Sequence, residues 1–347
     1  MHTGPAPRHE STRERELTAP VGLCLSSGEL NPEAVGWSRR PLHRCNLRGR
    51  WLRKKRWNYW AVTTETHLFS VTVSNLDYAG VVFVYYADFA SGQITEATRL
   101  VPLGLGCHLP DEVGADVVFQ GRNFSAHMLQ TADGVSLRVD LANFGGNPLT
   151  AHFDIQSPPA HETLNVVVPW NRRTFQFTSK QNCLPAEGVV RVGRRETRFT
   201  GPQSFACLDY GRGIWPRHGR WNWGSASGRQ NSRTIGLNLG GQWTDDTGST
   251  ENGLCLDGRL HKISEDLRWE YDRTDFMRPW RITAPSGAVD LTFTPFMERL
   301  AASSVWLVQS EVHQMFGRYA GHVTTADGDT VPVKDLVGWA EDHVARW

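Results

Sequence analysis

The chain has 347 residues, which is enough to bury a sizeable core and favours two domains. Its 37 lysines and arginines nearly balance its 36 aspartates and glutamates, so its overall charge argues against a nucleic-acid-binding protein. The 33 glycines, the 14 tryptophans and a charged fraction of only 21% favour an antiparallel β protein.

The N-terminal segment 1–20 is polar and lacks periodicity, so we predict a disordered tail. It lacks the apolar core of a signal peptide, and the chain has no run of about 18 apolar residues; together these predict a cytoplasmic protein without a membrane span. The six cysteines form no close pairs, and Cys24, His43 and Cys45 are too few for a structural zinc site. We therefore expect reduced thiols, no metal and no cofactor.

A basic segment precedes the first long alternating stretch. Within RGRWLRKKRWNYW, six cations fall in nine positions: Arg48, Arg50, Arg53, Lys54, Lys55 and Arg56. Cations interleaved with aromatic rings can bind single-stranded nucleic acid, but the neutral remainder of the chain argues against it. An anionic lipid surface or a substrate carboxylate is the preferred functional interpretation. The structural alternative is a loop that leads into an aromatic-rich strand.

From about residue 60 onward, apolar and polar residues alternate with a period of two. In SLRVDLANF, Leu137, Val139 and Leu141 alternate with polar neighbours, and VDLTFTPF follows the same pattern. Asp-Gly pairs at 133–134, 257–258 and 327–328 separate such segments and indicate hairpins. One face of each strand should meet a core, and the other should meet water or a lumen. The pattern predicts an all-β fold of two consecutive antiparallel barrels or sandwiches.

The two predicted β domains span residues 21–175 and 176–347, with a Pro-rich seam near 157–180. At the C-terminal end, DLVGWAEDHVARW is predicted to form a short helix, although Gly338 weakens it. We expect this segment, which ends in Trp347, to dock on the second domain with Glu341 paired to Arg346.

The densest polar and aromatic segment is LDYGRGIWPRHGRWNWGSASG, residues 208–228. A nearby arginine would hold Asp209 ionised. Trp221 and Trp223 could line a pocket for a planar or apolar ligand, with Asn222 fixing its orientation. In the structural alternative, the indoles fill a barrel and an Arg–Asp pair closes its end.

A second polar segment is QWTDDTGSTENG, residues 242–253. Asp245, Asp246 and Glu251 could be paired carboxylates for acid–base chemistry, but Asp, Thr, Gly and Ser are also the usual residues of turns. Glu251 and Asn252 fall where the next strand should begin, so alternation requires one of them to point inward. A buried polar group there would need a partner or a ligand. Trp243 in this segment and Tyr271 in LRWEYD are further predicted ligand contacts, and Glu270 is a further predicted acid.

Several long motifs resemble one family. GELNPEAVGWSRRPLHRCNLRGRWLRKKRWNYWAV, the two segments above and MFGRYAGHVTTADGDTVPVKDLVGWAEDHVARW are similar to the family called domain of unknown function 2804, over roughly residues 20–347. The resemblance departs at Asp246, where glycine is expected, which argues against a catalytic role for this aspartate. At a distance the family is similar to the carotenoid 1,2-hydratase and AttH-like proteins. This implies two consecutive lipocalin-like (calycin) barrels with a ligand pocket near their junction.

Two hypotheses about function follow from the residues and the resemblance. The first is a protein that binds an apolar small molecule, such as a lipid, an isoprenoid or a polyketide-like metabolite, in a Trp-rich pocket. The alternative is a cofactor-independent hydratase, cyclase or isomerase acting on an unsaturated apolar substrate. In that case Asp209, Glu251 or Glu270 would be the acid. The same fold hosts many functions, so fold alone does not decide between them.

Overall fold

The computed structural model of the chain describes residues 14–305 and 308–346. The described residues form one short 3-10 helix, Pro32–Ala34, and 24 strands. The first fifteen strands are β1 Val21–Gly22, β2 Trp37–Ser38, β3 His43–Arg44, β4 Lys54–Thr63, β5 His67–Asn75, β6 Ala79–Asp88, β7 Gln93–Pro102, β8 Val117–Gln120, β9 Phe124–Thr131, β10 Gly134–Phe144, β11 Asn147–Gln156, β12 Leu164–Asn171, β13 Thr174–Val192, β14 Arg195–Phe199 and β15 Phe205–Ile214. The remaining nine are β16 His218–Gln230, β17 Arg233–Gly241, β18 Asn252–Leu256, β19 Arg259–Ile263, β20 Arg268–Glu270, β21 Trp280–Thr283, β22 Val289–Val305, β23 Val308–Thr324 and β24 Thr330–Arg346.

Two large antiparallel sheets account for nearly all of these strands. The first has thirteen strands, with the main order β7-β6-β5-β4-β15-β13-β11-β10-β9-β8, and β2, β12 and β14 attached beside it. The second has nine strands in the order β19-β18-β17-β16-β24-β23-β22-β21-β20. Each sheet is a curled half-barrel with two edges. Its hydrogen-bonded ladder therefore stays open, whereas closure was expected because it would remove exposed edge strands. The fold is all-β and double lipocalin-like, as predicted.

The two sheets share an apolar layer in addition to their own cores. Each sheet encloses a separate cluster of buried side chains on one face. A third cluster joins them: Tyr59 and Tyr85 of the first sheet pack with Trp223, Phe316 and Trp339 of the second. Burying each large apolar side chain contributes on the order of 1.5–3 kcal/mol, so this layer holds the sheets firmly against each other.

The change from one sheet to the other falls between β15 and β16, that is, between residues 214 and 218. Sheet membership does not define an independently folding unit, so the domain boundary at 175 stays a prediction. Of the predicted N-terminal tail, residues 1–13 lie outside the described residues. Residues 14–20 lie against the body: Leu17 N donates to Trp37 O at 2.7 Å, and the buried Glu14 carboxylate lies 2.5 Å from Lys262 Nζ.

The predicted C-terminal helix is wrong, because residues 330–346 form β24 in the middle of the second sheet. A Cβ at position 338 would clash with the backbone oxygen of Ser225 and with Ala226 on β16, so Gly338 permits a close strand approach. The predicted pairing of Glu341 with Arg346 is wrong as well. Residues five apart on a strand point to opposite faces, and Glu341 is buried while Arg346 is exposed. Trp347 lies outside the described residues.

Candidate functional site

A cavity of about 280 Å³ lies at the junction of the two sheets. Strands β4, β5, β6, β13 and β15 form its wall on the first sheet, and β16, β22, β23 and β24 form its wall on the second. The segments after β5, between β15 and β16, and between β17 and β18 contribute the remainder. The lining is mainly aromatic, with tryptophans at 57, 215, 221, 223 and 243 and tyrosines at 59 and 85.

Strand alternation selects the side chains that reach this cavity. On β4, Trp57 and Tyr59 face it, whereas Trp60 packs in the core of the first sheet. On β16, Trp221 and Trp223 face it, and the intervening Asn222 does not. On these two strands, alternation therefore directs aromatic side chains into the cavity.

One buried cation connects two carboxylates, one on β15 and one in the segment before β18. Lys180 Nζ, on β13, lies 3.0 Å from Asp209 Oδ1 and 3.1 Å from Glu251 Oε2. Thr178 Oγ1 also donates to Asp209 Oδ1 at 3.1 Å, and Trp243 Nε1 donates to Glu251 Oε1 at 2.8 Å. Glu251 and Lys180 are almost fully buried, so each charge depends on the other for its compensation.

The pKa shifts in this cluster follow from burial and charge. Burial opposes the charged form of Lys180, but attraction to Asp209 and Glu251 outweighs it and raises the pKa of the ammonium above its usual value. Burial raises the pKa of Glu251, and Lys180 opposes this rise. The Lys180 ammonium also lies 4.3 Å from the centre of the Trp223 ring, so it contacts the cavity's aromatic wall.

A third buried carboxyl group, Glu341 on β24, faces the cavity. Trp221 Nε1 donates to its Oε1 at 3.1 Å, and Gln314 Nε2 donates to its Oε2 at a longer 3.4 Å. Burial raises the pKa of Glu341 to about 7. Glu341 was not among the predicted site residues, because its segment was predicted to form a helix. Read with a period of two, Trp339, Glu341 and His343 occupy one face of a strand, which was the available signal.

Further polar groups surround the second-sheet wall near Glu341. Burial lowers the pKa of His343 to about 3, and its ring centre lies 3.9 Å from that of Trp221. Ser310 Oγ and His343 Nε2 are 2.8 Å apart. Arg299 lies over the Tyr85 ring at 4.2 Å and forms an ion pair with Glu96 at 2.8 Å.

Five predicted site residues lie together around this cavity: Asp209, Trp221, Trp223, Trp243 and Glu251. Glu251 is the member of the Glu251–Asn252 step that points inward, and Lys180 is the partner that a buried polar group required.

The other four predicted site residues do not line the cavity. Asn222 donates to the hydroxyl of Tyr271 and to Glu341 O, both at 3.0 Å. Asn252 accepts from Gly240 N at 2.6 Å and donates to Glu265 O at 2.9 Å, so its side chain joins strands. Glu270 is exposed beside Arg268. Asn222, Glu270 and Tyr271 border a separate polar cleft, because they lie on the opposite face of the second sheet.

The TDDTG part of the second polar segment forms turns. Asp245 Oδ1 accepts from Gln242 N at 2.9 Å. Asp246 adopts a φ of 62°, in the left-handed region that glycine occupies without steric cost. This backbone conformation gives a physical reason why the resemblance leads one to expect glycine there.

The basic segment is largely engaged with the protein itself. Lys54 and Arg56 form ion pairs with Asp77 at 3.4 and 3.1 Å, and Arg53 donates to Trp215 O at 2.9 Å. Lys55 is buried over the Tyr78 ring, and burial lowers its pKa to about 8. The exposed part is the turn before β4, where Arg48 and the 70%-exposed Trp51 flank the half-buried Arg50.

Two other kinds of structural feature are absent from the described residues. They contain no group of three His, Cys, Asp or Glu side chains that could hold a metal ion. No helix in that part of the chain is long and apolar enough to cross a membrane.

Comparisons with solved structures give low scores over long alignments. A Nitrosomonas europaea protein assigned as AttH aligns at 12% identity and a TM-score of 0.47, covering 84% of this chain and 92% of the other. Kievitone hydratase from Nectria haematococca aligns at 10% identity and a TM-score of 0.43, covering 84% and 88%. CghA with Sch210972 aligns at 10% identity and a TM-score of 0.42, covering 85% and 89%. Similarities this low indicate nothing about the ligand or reaction of this chain.

The sequence comparisons are more decisive. No curated protein matches the chain significantly. The profile of the family described as Domain of unknown function (DUF2804) matches residues 14–347, nearly the whole chain. The chain therefore belongs to the DUF2804 family.

Proposed function

We propose that this protein binds an apolar, planar small molecule in the junction cavity. The observation that carries the proposal is the aromatic lining contributed by both sheets around about 280 Å³ of space. Apolar and aromatic walls with a few convergent polar groups are typical of small-molecule sites. The indoles offer flat surfaces, and the buried polar groups offer hydrogen bonds at fixed positions. Lipids, isoprenoids and polyketide-like metabolites are the ligand classes that fit this chemistry.

The test is binding of a neutral fluorophore, N-phenyl-1-naphthylamine, whose emission rises in apolar surroundings. Val81 lines the cavity, so V81F should fill part of it and weaken binding at least tenfold. The matched control is V118F, because Val118 is 44% exposed on β8 and should bind like the parent protein. Equal affinity in V81F and the parent protein would show that the probe binds elsewhere, and would overturn the proposal. Mass spectrometry of molecules extracted from natively purified protein then identifies the ligand class.

A second candidate function is cofactor-independent hydration, cyclisation or isomerisation of an unsaturated apolar substrate. The specific observation in its favour is that Asp209, Glu251 and Glu341 all reach one aromatic cavity. Buried carboxyl groups in apolar surroundings are usual groups for proton transfer, and burial raises the pKa values of Glu251 and Glu341. Glu270 is exposed outside the cavity, so this function would have to use the other carboxyl groups.

A further inference from the structure

We propose that Glu341 is the general acid–base group of the cavity, exchanging a proton with a carbon-acid position or an unsaturated bond of the bound ligand. This inference rests on the proposed binding of an apolar planar molecule. Glu341 is one of three carboxyl groups in the cavity, and it was predicted from the sequence to form a structural ion pair with Arg346.

The three carboxyl groups differ in what compensates their charge. Asp209 and Glu251 each contact the Lys180 ammonium, at 3.0 and 3.1 Å, so each has a full positive charge directly beside it. Among the described residues, the Glu341 carboxyl accepts hydrogen bonds from two neutral donors, Trp221 Nε1 at 3.1 Å and Gln314 Nε2 at 3.4 Å. Neutral donors compensate a buried charge less completely than a cation does, so Glu341 is the group that can change its protonation state at the smallest cost.

The charged and titratable groups around Glu341 come from both sheets. Burial favours its neutral form, and the negative charge of Asp209 on β15 acts in the same direction. Lys180 on β13 and Arg299 on β22 favour its carboxylate. Three further titratable neighbours, His343, Tyr85 and Tyr319, stay neutral near pH 7, because burial lowers the pKa of His343 and raises those of the two tyrosines.

The balance of these influences puts the pKa of Glu341 at about 7, so both protonation states are populated near neutral pH. A general acid or base works best when its pKa lies near the working pH, because both forms then take part. Glu341 also lines the cavity directly beside the Trp221 ring, where a planar ligand would stack. The position of Glu341 and its protonation equilibrium therefore both suit a general acid–base group.

A suitable probe is 5-nitrobenzisoxazole, a planar aromatic molecule that opens when a base removes the proton from its ring carbon. The carboxylate of Glu341 would take this proton, the C–H electron pair would form the nitrile, and the N–O bond would break to leave a phenolate. Atoms and charge balance without any co-reactant, and the phenolate is followed by its absorbance. The turnover rate should be about tenfold higher at pH 8 than at pH 6, because deprotonation of a group of pKa 7 supplies the base.

The variants separate this inference from the proposed function. E341Q keeps the hydrogen-bonding shape of the side chain, so it should still bind N-phenyl-1-naphthylamine but lose at least 90% of the ring-opening rate. E270Q is the matched control, because Glu270 lies outside the cavity, and it should keep the full rate. Suppose that both proteins bind N-phenyl-1-naphthylamine but open 5-nitrobenzisoxazole at the same rate, or at a rate independent of pH. That result would overturn the role of Glu341 and leave the proposed binding function intact. Absence of any cavity binding in the parent protein would overturn the proposed function itself.

Discussion

Replacing Lys180 by methionine should destabilise the protein strongly and in a pH-dependent way. The substitution keeps most of the side-chain volume but leaves Asp209 and Glu251 without their shared cation. With an effective dielectric constant near 20, each contact at ~3 Å corresponds to roughly 5 kcal/mol of gross attraction. Much of this attraction offsets desolvation. The measured loss on removing one partner of a buried pair is about 3–5 kcal/mol, which is our expectation for K180M at pH 8.

The pH dependence has a definite sign. Without Lys180, the buried carboxyl groups have folded-state pKa values above those of the unfolded chain, since burial already raises the pKa of Glu251 with the lysine present. An acid with a raised folded-state pKa contributes stability at low pH, and this stability is lost as pH rises from its unfolded-state pKa through its folded-state pKa. Acid therefore favours folded K180M, by up to about 1.4 kcal/mol per pH unit for each carboxyl group that becomes protonated. The difference in unfolding free energy between K180M and the parent protein should narrow to about 1–2 kcal/mol at pH 5.

Urea unfolding followed by tryptophan fluorescence at pH 8 and pH 5 measures this difference. K334M is the matched control, because Lys334 is exposed and its replacement should change stability by less than about 0.5 kcal/mol. The double variant K180M/E251Q should have an unfolding free energy more than about 1 kcal/mol higher than that of K180M at pH 8, since it lacks one uncompensated charge. If K180M loses the same unfolding free energy at both pH values, the reasoning is refuted, because the loss would then come from packing and not from unpaired charge.

Three further predictions concern other parts of the molecule. W223A should weaken N-phenyl-1-naphthylamine binding about tenfold by removing an aromatic wall, and unchanged fluorescence titrations would contradict this. E14A should lower the unfolding free energy by about 3 kcal/mol in urea, because it leaves a buried lysine unpaired; a loss below about 1 kcal/mol would show that the N-terminal contact is dispensable. We propose that Arg48, Arg50 and Trp51 contact anionic lipid surfaces, so R48E/R50E should reduce co-sedimentation with phosphatidylserine vesicles at low salt, and equal sedimentation of variant and parent would count against it.

Strand alternation was sufficient to predict the all-β class. It also predicted that Glu251 or Asn252 would point inward, and the structure shows that this residue is Glu251, bound to Lys180. These predictions succeeded because they depend on local periodicity, which a single segment of sequence contains.

The partners within the cavity could not be predicted in the same way. Lys180 lies in an alternating segment, and a polar face that lines a lumen has the same sequence pattern as one that meets water. Glu341 was missed for a different reason: its segment, DLVGWAEDHVARW, was predicted to form a helix. Its strand character becomes evident only from pairing with β16 and β23, which are distant in sequence. Long-range pairing is the information that one sequence segment lacks.

The central place of β24 has a consequence for the order in which the protein can mature. This strand pairs with β16 and β23, yet it is the last strand of the second sheet in chain order. During synthesis, the first sheet can assemble while the second sheet still lacks its middle member. The aromatic faces of Tyr59 and Tyr85 must then wait for Trp339 to cover them. A nascent chain therefore leaves the aromatic wall of the junction cavity without its β24 side until residues 330–346 have been made.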